Sequence, residues 1–507
     1  MLTHKTTIGT ATNSGNRIIE QKITSLRHFQ VHFRRPEHAG YNGSFGFDWL
    51  RDEYVYDEIR VRIAKSKKGL YKGDIQNLIK EYTHFKGQKI RHINEIKTLS
   101  TESYIPAWLA IFPSAKHTGH PNASSEVNAD GVKLYLQIDQ DDKDSAKVLV
   151  DDGTELTFEC SAGLKVSPEK ISLGKFIEKS PLKKTLASSR QGISSRHFYR
   201  HLTKTTVTVT ATNTYSEPAY IKVIAKNQNL KKTVGLLMVY PNNIIPKADI
   251  RIVHFSTVAG TREVPTPPAY QDYLKKRAFN QALVRAEIKG ISFFNIIDYL
   301  NEYNAKIFKG TITIEEKRKL KKIKEFIAKY PIGQPVHRNK GSELKNDIIE
   351  LYEAFSKKYV PKGGIENPNS KITFVIFTDY EVSSNGLITL GSAAIRERNL
   401  FETLGCIIGG CPIIWGNAVV LFNQGNTDLS TFAHEIGHSL SLPHTFETPP
   451  NSNHTFYQGY TDNLMDYSYA PVPQGESGES NKFYKHMWSL FKWQWEILRN
   501  DGSISYE

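Results

Sequence analysis

Between Ile105 and Tyr240 apolar and polar residues alternate in short runs, VKLYLQID, ELTFEC, TVTVTAT and AYIKVIA, parted by Asp, Gly, Asn and Ser. Alternation sends successive side chains to opposite faces of a strand, and turn formers at this spacing set strands in succession. The pattern predicts a β-sandwich with immunoglobulin-like strand spacing over 105–240, a spacer or binding platform. The first 40 residues are polar without sustained periodicity and read as a flexible docking arm. Residues 41–104 mix the aromatic segment YNGSFGFDWLRDEY with short strand-like and helical pieces, a small amino-terminal module.

After Pro241 the period changes. IRIVHFSTV, ITFVIFTDY and NAVVLF are compact apolar runs suited to buried strands, and YLKKRAFNQALVRAEI has helical spacing. Between the first two strands, the charge run Glu315 to Lys324 carries Leu320, Ile323, Phe326 and Ile327 at helical intervals, a solvated face over a packed one, with a membrane or partner surface as the alternative. FYKHMWSLFKWQWEILR reads as a carboxy-terminal amphipathic helix with Trp488, Phe491 and Trp495 in the core. The expected class is α+β: β-rich amino-terminal modules followed by an α/β domain with a mixed sheet over 245–507.

At 507 residues the chain is too long for one core. No run approaches the roughly 20 apolar residues of a membrane span. The amino terminus lacks the basic start and apolar centre of a secretory signal. The net charge of +14 is spread along the chain without a nucleic-acid module, which implies a generally basic surface and no nucleic-acid partner. Three cysteines exclude a disulfide framework. Cys406 and Cys411 flank Gly409-Gly410, a spacing open to a small bridge or to two thiols, while Cys160 reads as a strand cysteine.

The chemistry concentrates in DLSTFAHEIGHSLSLPH. Thr427 or Asp428 can cap a helix whose apolar face is Leu429, Phe432, Ala433, Ile436 and Leu440. His434 and His438 then share the opposite face one turn apart, close enough to hold one ion, with Glu435 beside them as general base. Pro443 disfavours α geometry at Leu442, which helps swing His444 in as a third ligand. Three neutral nitrogens leave a fourth position for water, the arrangement of a catalytic zinc site. Downstream, Met465 offers an apolar floor and Tyr467 a phenol donor for a developing oxyanion. With 17 His in the chain, a chance HExxH is expected in roughly 3% of such chains, and one with His444 in about 0.1%.

Through HEIGHSLSLPHTF (434–446) and NLMDYS (463–468) the chain resembles the metzincin zinc peptidases, and among them pappalysin- or cytophagalysin-like enzymes. The resemblance implies one Zn²⁺ held by His434, His438 and His444, Glu435 as base, Met465 as the Met-turn and Tyr467 as its neighbouring tyrosine. Protein or peptide substrates follow from it. It also implies a strand along the upper edge of the cleft just before the helix, the place of NAVVLFNQG, so that Asn417, Ala418, Val419, Val420, Leu421 and Phe422 would pair with extended substrate. The family usually has glycine where this chain has Ser441, so a left-handed backbone costing about 1 kcal/mol, or another turn, is expected there. The YNGSFGFDWLR and TVTVTATNTYSEPAYIKVIA segments resemble parts of bacterial contact-delivered (type VI) effectors, implying a secretion-apparatus partner and delivery outside the producing cell without a classical signal. The competing expectation is an effector carrier or binding protein whose zinc only stabilises the fold.

Overall fold

The computed structural model of the protein describes residues 25–36, 40–51, 60–63, 66–99, 103–114, 128–141, 149–178, 182–188, 195–356, 371–395, 413, 415–471 and 479–506. Helices and strands are both abundant and the larger sheets are mixed, an α+β organisation.

The alternating runs become strands as their period requires. In Val132–Asp141 the residues Val132, Leu134, Leu136 and Ile138 are buried. Glu155–Cys160, Ser195–Ala211 and Ala219–Asn227 carry the other runs. They do not form two stacked antiparallel sheets. The ladder is one 11-stranded sheet, in which Gln30–Arg34 and Ala107–Ala110 both join Leu230–Val239 in parallel. Glu155–Cys160 and Leu164–Ser167 lie near opposite ends of the ladder yet are neighbours in the chain, joined by a turn at Gly163, so the sheet curls around its core.

Gln30–Arg34 falls inside the expected arm, and it is a sheet strand with Val31 and Phe33 fully buried. Residues 1–24 of the arm lie outside the described residues. The boundary expected at residue 104 likewise falls within one sheet, because Gly46–Asp48 pairs with Ala107–Ala110. The partners of these short strands are remote in sequence, and that pairing keeps them from being free segments.

The second body is a five-stranded sheet ordered Arg285–Asn295, Lys247–Ser256, Ile372–Thr378, Trp415–Leu421, Gly391–Ile395. The first four run parallel and the last antiparallel. Parallel strands are buried on both faces, which is why ITFVIFT and NAVVL are continuous apolar runs. On one face Val253, Phe255, Ile376 and Val420 pack under the helices Ile296–Phe308, Ile314–Lys329 and Gly341–Ser356. On the other, Ile252, Val375, Phe377 and Val419 meet Phe432, Ala433 and Ile436. That second core also takes in Trp108, Leu236, Met238 and Tyr240, so the curled sheet and the α/β body share it.

Two helical expectations change. The run from Tyr273 is helical only through Tyr270–Lys276, followed by a 3₁₀ turn, Ala278–Ala282. Leu283, at φ 56°, redirects the chain so that RAEI opens the strand Arg285–Asn295. At the carboxy terminus only Lys492–Arg499 is helical. A bridge from Ser489 to Asn463 holds the preceding residues against the Met465 loop instead. Phe491 and Trp495 are buried as expected, and Trp488 is partly so.

Candidate metal centre

Asp428 starts the central helix, Leu429–Ser439, by accepting from the backbone N–H of Ser430 and Thr431 at 3.2 and 3.0 Å. With Phe432, Ala433 and Ile436 fixed against the sheet, His434 and His438 face away from it. The helix ends as Leu442 N–H donates to the Gly437 carbonyl and Ser441 N–H to that of His438. This is a Schellman turn, which places Ser441 in left-handed conformation at φ 68°. Serine occupies this glycine-favouring position while its hydroxyl donates to the Asp501 carboxylate. The turn reverses the chain and delivers His444.

The three rings converge. His438 Nε2 lies 3.1 Å from His434 Nε2 and 3.0 Å from His444 Nε2. Each Nδ1 has its own acceptor: the Leu464 carbonyl at 2.9 Å for His434, the Leu442 carbonyl at 2.7 Å for His438, and Glu447 Oε1 at 2.7 Å for His444. A neutral ring that donates from Nδ1 keeps a lone pair on Nε2. Burial, with His444 adding, holds His434 down at about 3 and His438 well below its ordinary value, so both are in the neutral, ligating form. Nitrogens bound to one tetrahedral zinc stand roughly 3.3 Å apart, close to the spacing found. Among the described residues this is the one group of His, Cys, Asp or Glu side chains able to hold a metal ion. Trp415 stacks on His438 and Phe446 on His444, with ring centres 4.3 and 4.7 Å apart.

Glu435 sits beside the triad with its pKa pushed up to about 7 by burial, opposed by the charge of Lys345 and the N–H of Ala393. Lys345, buried on the helix behind, is itself anchored to the Ala393 carbonyl at 3.0 Å. Gly391, on the same edge strand, lets the backbone come this close, since a Cβ there would stand 2.7 Å from Glu435 Cγ. Met465 is fully buried beneath the helix, where a Cβ on Gly437 would meet its sulfur at 2.7 Å. Tyr467 packs on the His444 ring at 4.9 Å, and burial followed by Glu435 pushes its phenol up to about 12, so it remains a donor. His434, Glu435 and Tyr467 share a cavity of about 300 Å³ with Arg338, Thr431, Tyr469 and Met487.

His434, Glu435, His438, His444, Met465 and Tyr467 are thus brought together. Asn417, Ala418, Val419, Val420, Leu421 and Phe422 are not available for strand addition. Their strand is interior, paired with Ile372–Thr378 on one side and Gly391–Ile395 on the other. The edge near the site is Gly391–Ile395, whose small residues GSAAI carry little strand signal. Glu447 lies three residues from His444, the one hint the sequence holds of its role. Asp466 does not touch the histidines; its carboxylate accepts from Gly459, Thr461 and Tyr467 N–H and shapes the loop. Cys160 lies in the curled sheet, its thiol raised to about 11 by burial. Cys406 and Cys411 lie outside the described residues.

Because Glu447 holds Nδ1 of His444, Glu447→Ala is expected to weaken binding of a divalent metal ion about 10- to 100-fold in a chelator-competition titration. An unchanged affinity would show that His444 does not ligate. Comparison with known protein families and with curated proteins finds no match to this chain.

Proposed function

We propose that the chain is a zinc-dependent endopeptidase that hydrolyses peptide bonds with Glu435 as general base. The observation that carries this is the convergence of three Nε2 atoms, each ring held at Nδ1 by its own acceptor, beside a cavity that His434 and the carboxylate-bearing Glu435 line. Three imidazoles suit zinc and leave a position open. Zinc bound there would polarise the scissile carbonyl and acidify water.

The protein's own groups supply the rest. Glu435, adjoining His434 and lining the cavity, takes the proton of the attacking water and returns it to the leaving amine. Burial raises its affinity for a proton, which suits a group that must accept and release one. Tyr467 donates from its phenol to the developing oxyanion. Gly391–Ile395 pairs on one side only among the described residues, and since Glu435 and Lys345 engage the Ala393 backbone, an extended peptide would pair with the residues flanking Ala393. Tyr467→Phe is accordingly expected to lower kcat about 100-fold with zinc content unchanged. A fall confined to KM would remove Tyr467 from the transition state.

Digestion of a denatured protein by the purified chain, with new amino termini read by mass spectrometry, tests the proposal. Internal cleavages are expected. Protein that carries one zinc per chain and produces none would overturn it.

A further inference from the structure

The helical hairpin formed by Ile296–Phe308 and Ile314–Lys329 is fixed to the body from below by Leu320, Ile323 and Phe326, all buried. Its tip is set by a capping box in which Thr313 and Glu316 satisfy each other's backbone and side-chain groups. This well-anchored element presents apolar side chains to solvent. Phe308 is 93% exposed, the highest value for a large apolar side chain among the described residues, and its neighbours Ile314 and Ile307 are 74% and 48% exposed. Contiguous exposed apolar groups on a rigid support mark a contact surface.

The surroundings of that tip define its partner. Residues 306–329 hold nine Lys or Arg against three Glu, a net +6. Glu302 and Glu316 engage Lys306, Glu315 engages Lys319, Glu343 and Asp347 engage Lys329, and Glu325 reaches Lys321 only at 3.7 Å. Lys309, Lys317, Arg318, Lys322 and Lys324 have no carboxylate within 4.0 Å among the described residues. Ile314, Lys317, Lys321 and Lys324 recur at intervals of three and four, a stripe on the face turned away from Ile323. Between the helices a groove of about 650 Å³ is lined by Ile307, Ile312 and Leu320 with Lys317, Lys321 and Lys324 and one acid, Glu325. A second copy of so basic a surface would repel it. No helix among the described residues is long and apolar enough to span a bilayer.

An apolar tip ringed by lysines is the arrangement that lies in a headgroup layer, aliphatic and aromatic groups below and ammonium groups at the phosphates. We propose that this hairpin docks the protein on a bilayer surface rich in anionic phospholipid. The helices cover the sheet face opposite the histidine-bearing helix, so docking leaves the metal centre uncovered. Each basic residue near such a surface strengthens partitioning about fivefold, and salt weakens the attraction.

The test is sedimentation of the full chain with vesicles of phosphatidylcholine alone and of phosphatidylcholine mixed with phosphatidylglycerol. Binding to the mixed vesicles only is expected, weakened about tenfold or more by Phe308→Ser with Ile314→Ser. Replacement of Lys317, Lys321 and Lys324 by Gln should weaken it about 100-fold. All these side chains are exposed, and equal thermal midpoints of the variants would confirm intact folds. Absence of vesicle binding overturns the proposal. So does binding that falls with salt but ignores the tip variants, which would reflect diffuse basicity. Self-association abolished by Phe308→Ser, with no vesicle binding, would assign the tip to a second copy instead.

Discussion

Glu435→Gln is expected to reduce peptide hydrolysis by about 10²- to 10⁴-fold while leaving one zinc per chain. The amide matches the carboxylate in shape and retains an oxygen for the Ala393 N–H, but it has no lone-pair charge with which to accept a proton. The histidines do not use Glu435 as a partner; their Nδ1 atoms are held by the Leu464 and Leu442 carbonyls and by Glu447. Metal content and catalysis therefore separate in this variant. Comparing kcat/KM on a fluorogenic peptide with zinc content measured on the same sample gives the result directly. Activity within tenfold of the parent would remove Glu435 from the role of base.

The second large effect falls on stability. Asp462, three residues before Met465, is buried and ion-paired with Arg35 and with Arg51, which lies 3.5 Å away and also pairs with Asp48 at 2.8 Å. Ser489 donates to the same carboxylate at 2.9 Å. Arg35 from the expected arm and Arg51 from the amino-terminal module thus supply the two cations that hold the loop carrying Met465 and the Leu464 carbonyl. Asp462→Ala would leave buried guanidinium groups short of a partner, and a loss of about 3–5 kcal/mol is expected in chemical denaturation. Zinc affinity should fall as well, because Leu464 orients His434. A loss below about 1 kcal/mol would mean that water reaches these charges in solution.

The convergence of the three histidines was legible because most of it is local. His434, Glu435 and His438 follow from helical spacing and His444 from the turn after it, all within eleven residues. The strands Lys247–Ser256, Ile372–Thr378 and Trp415–Leu421 were legible because burial on both faces writes continuous apolar runs. What escaped depends on distant approach. Gly391–Ile395 has side chains too small to register as a strand, and its closeness to Glu435 is a property of two elements packed together. Lys345 approaches Glu435 from a helix about 90 residues earlier. Gln30–Arg34 is ordered by Val132–Asp141 and Leu230–Val239, and nothing in five residues encodes that pairing. The assignment of Asn417 to Phe422 to a cleft edge failed for the same reason: an apolar run reports burial and is silent on which ladder neighbours it has.

The most direct test of the central claim is back-titration of metal-stripped protein with zinc while peptide cleavage is followed. Cleavage should be absent in the stripped protein and rise in proportion to added zinc until one equivalent is bound, and His438→Ala should neither bind tightly nor cleave. One equivalent bound through His434, His438 and His444 with no cleavage of any peptide would contradict it and leave the site a structural one.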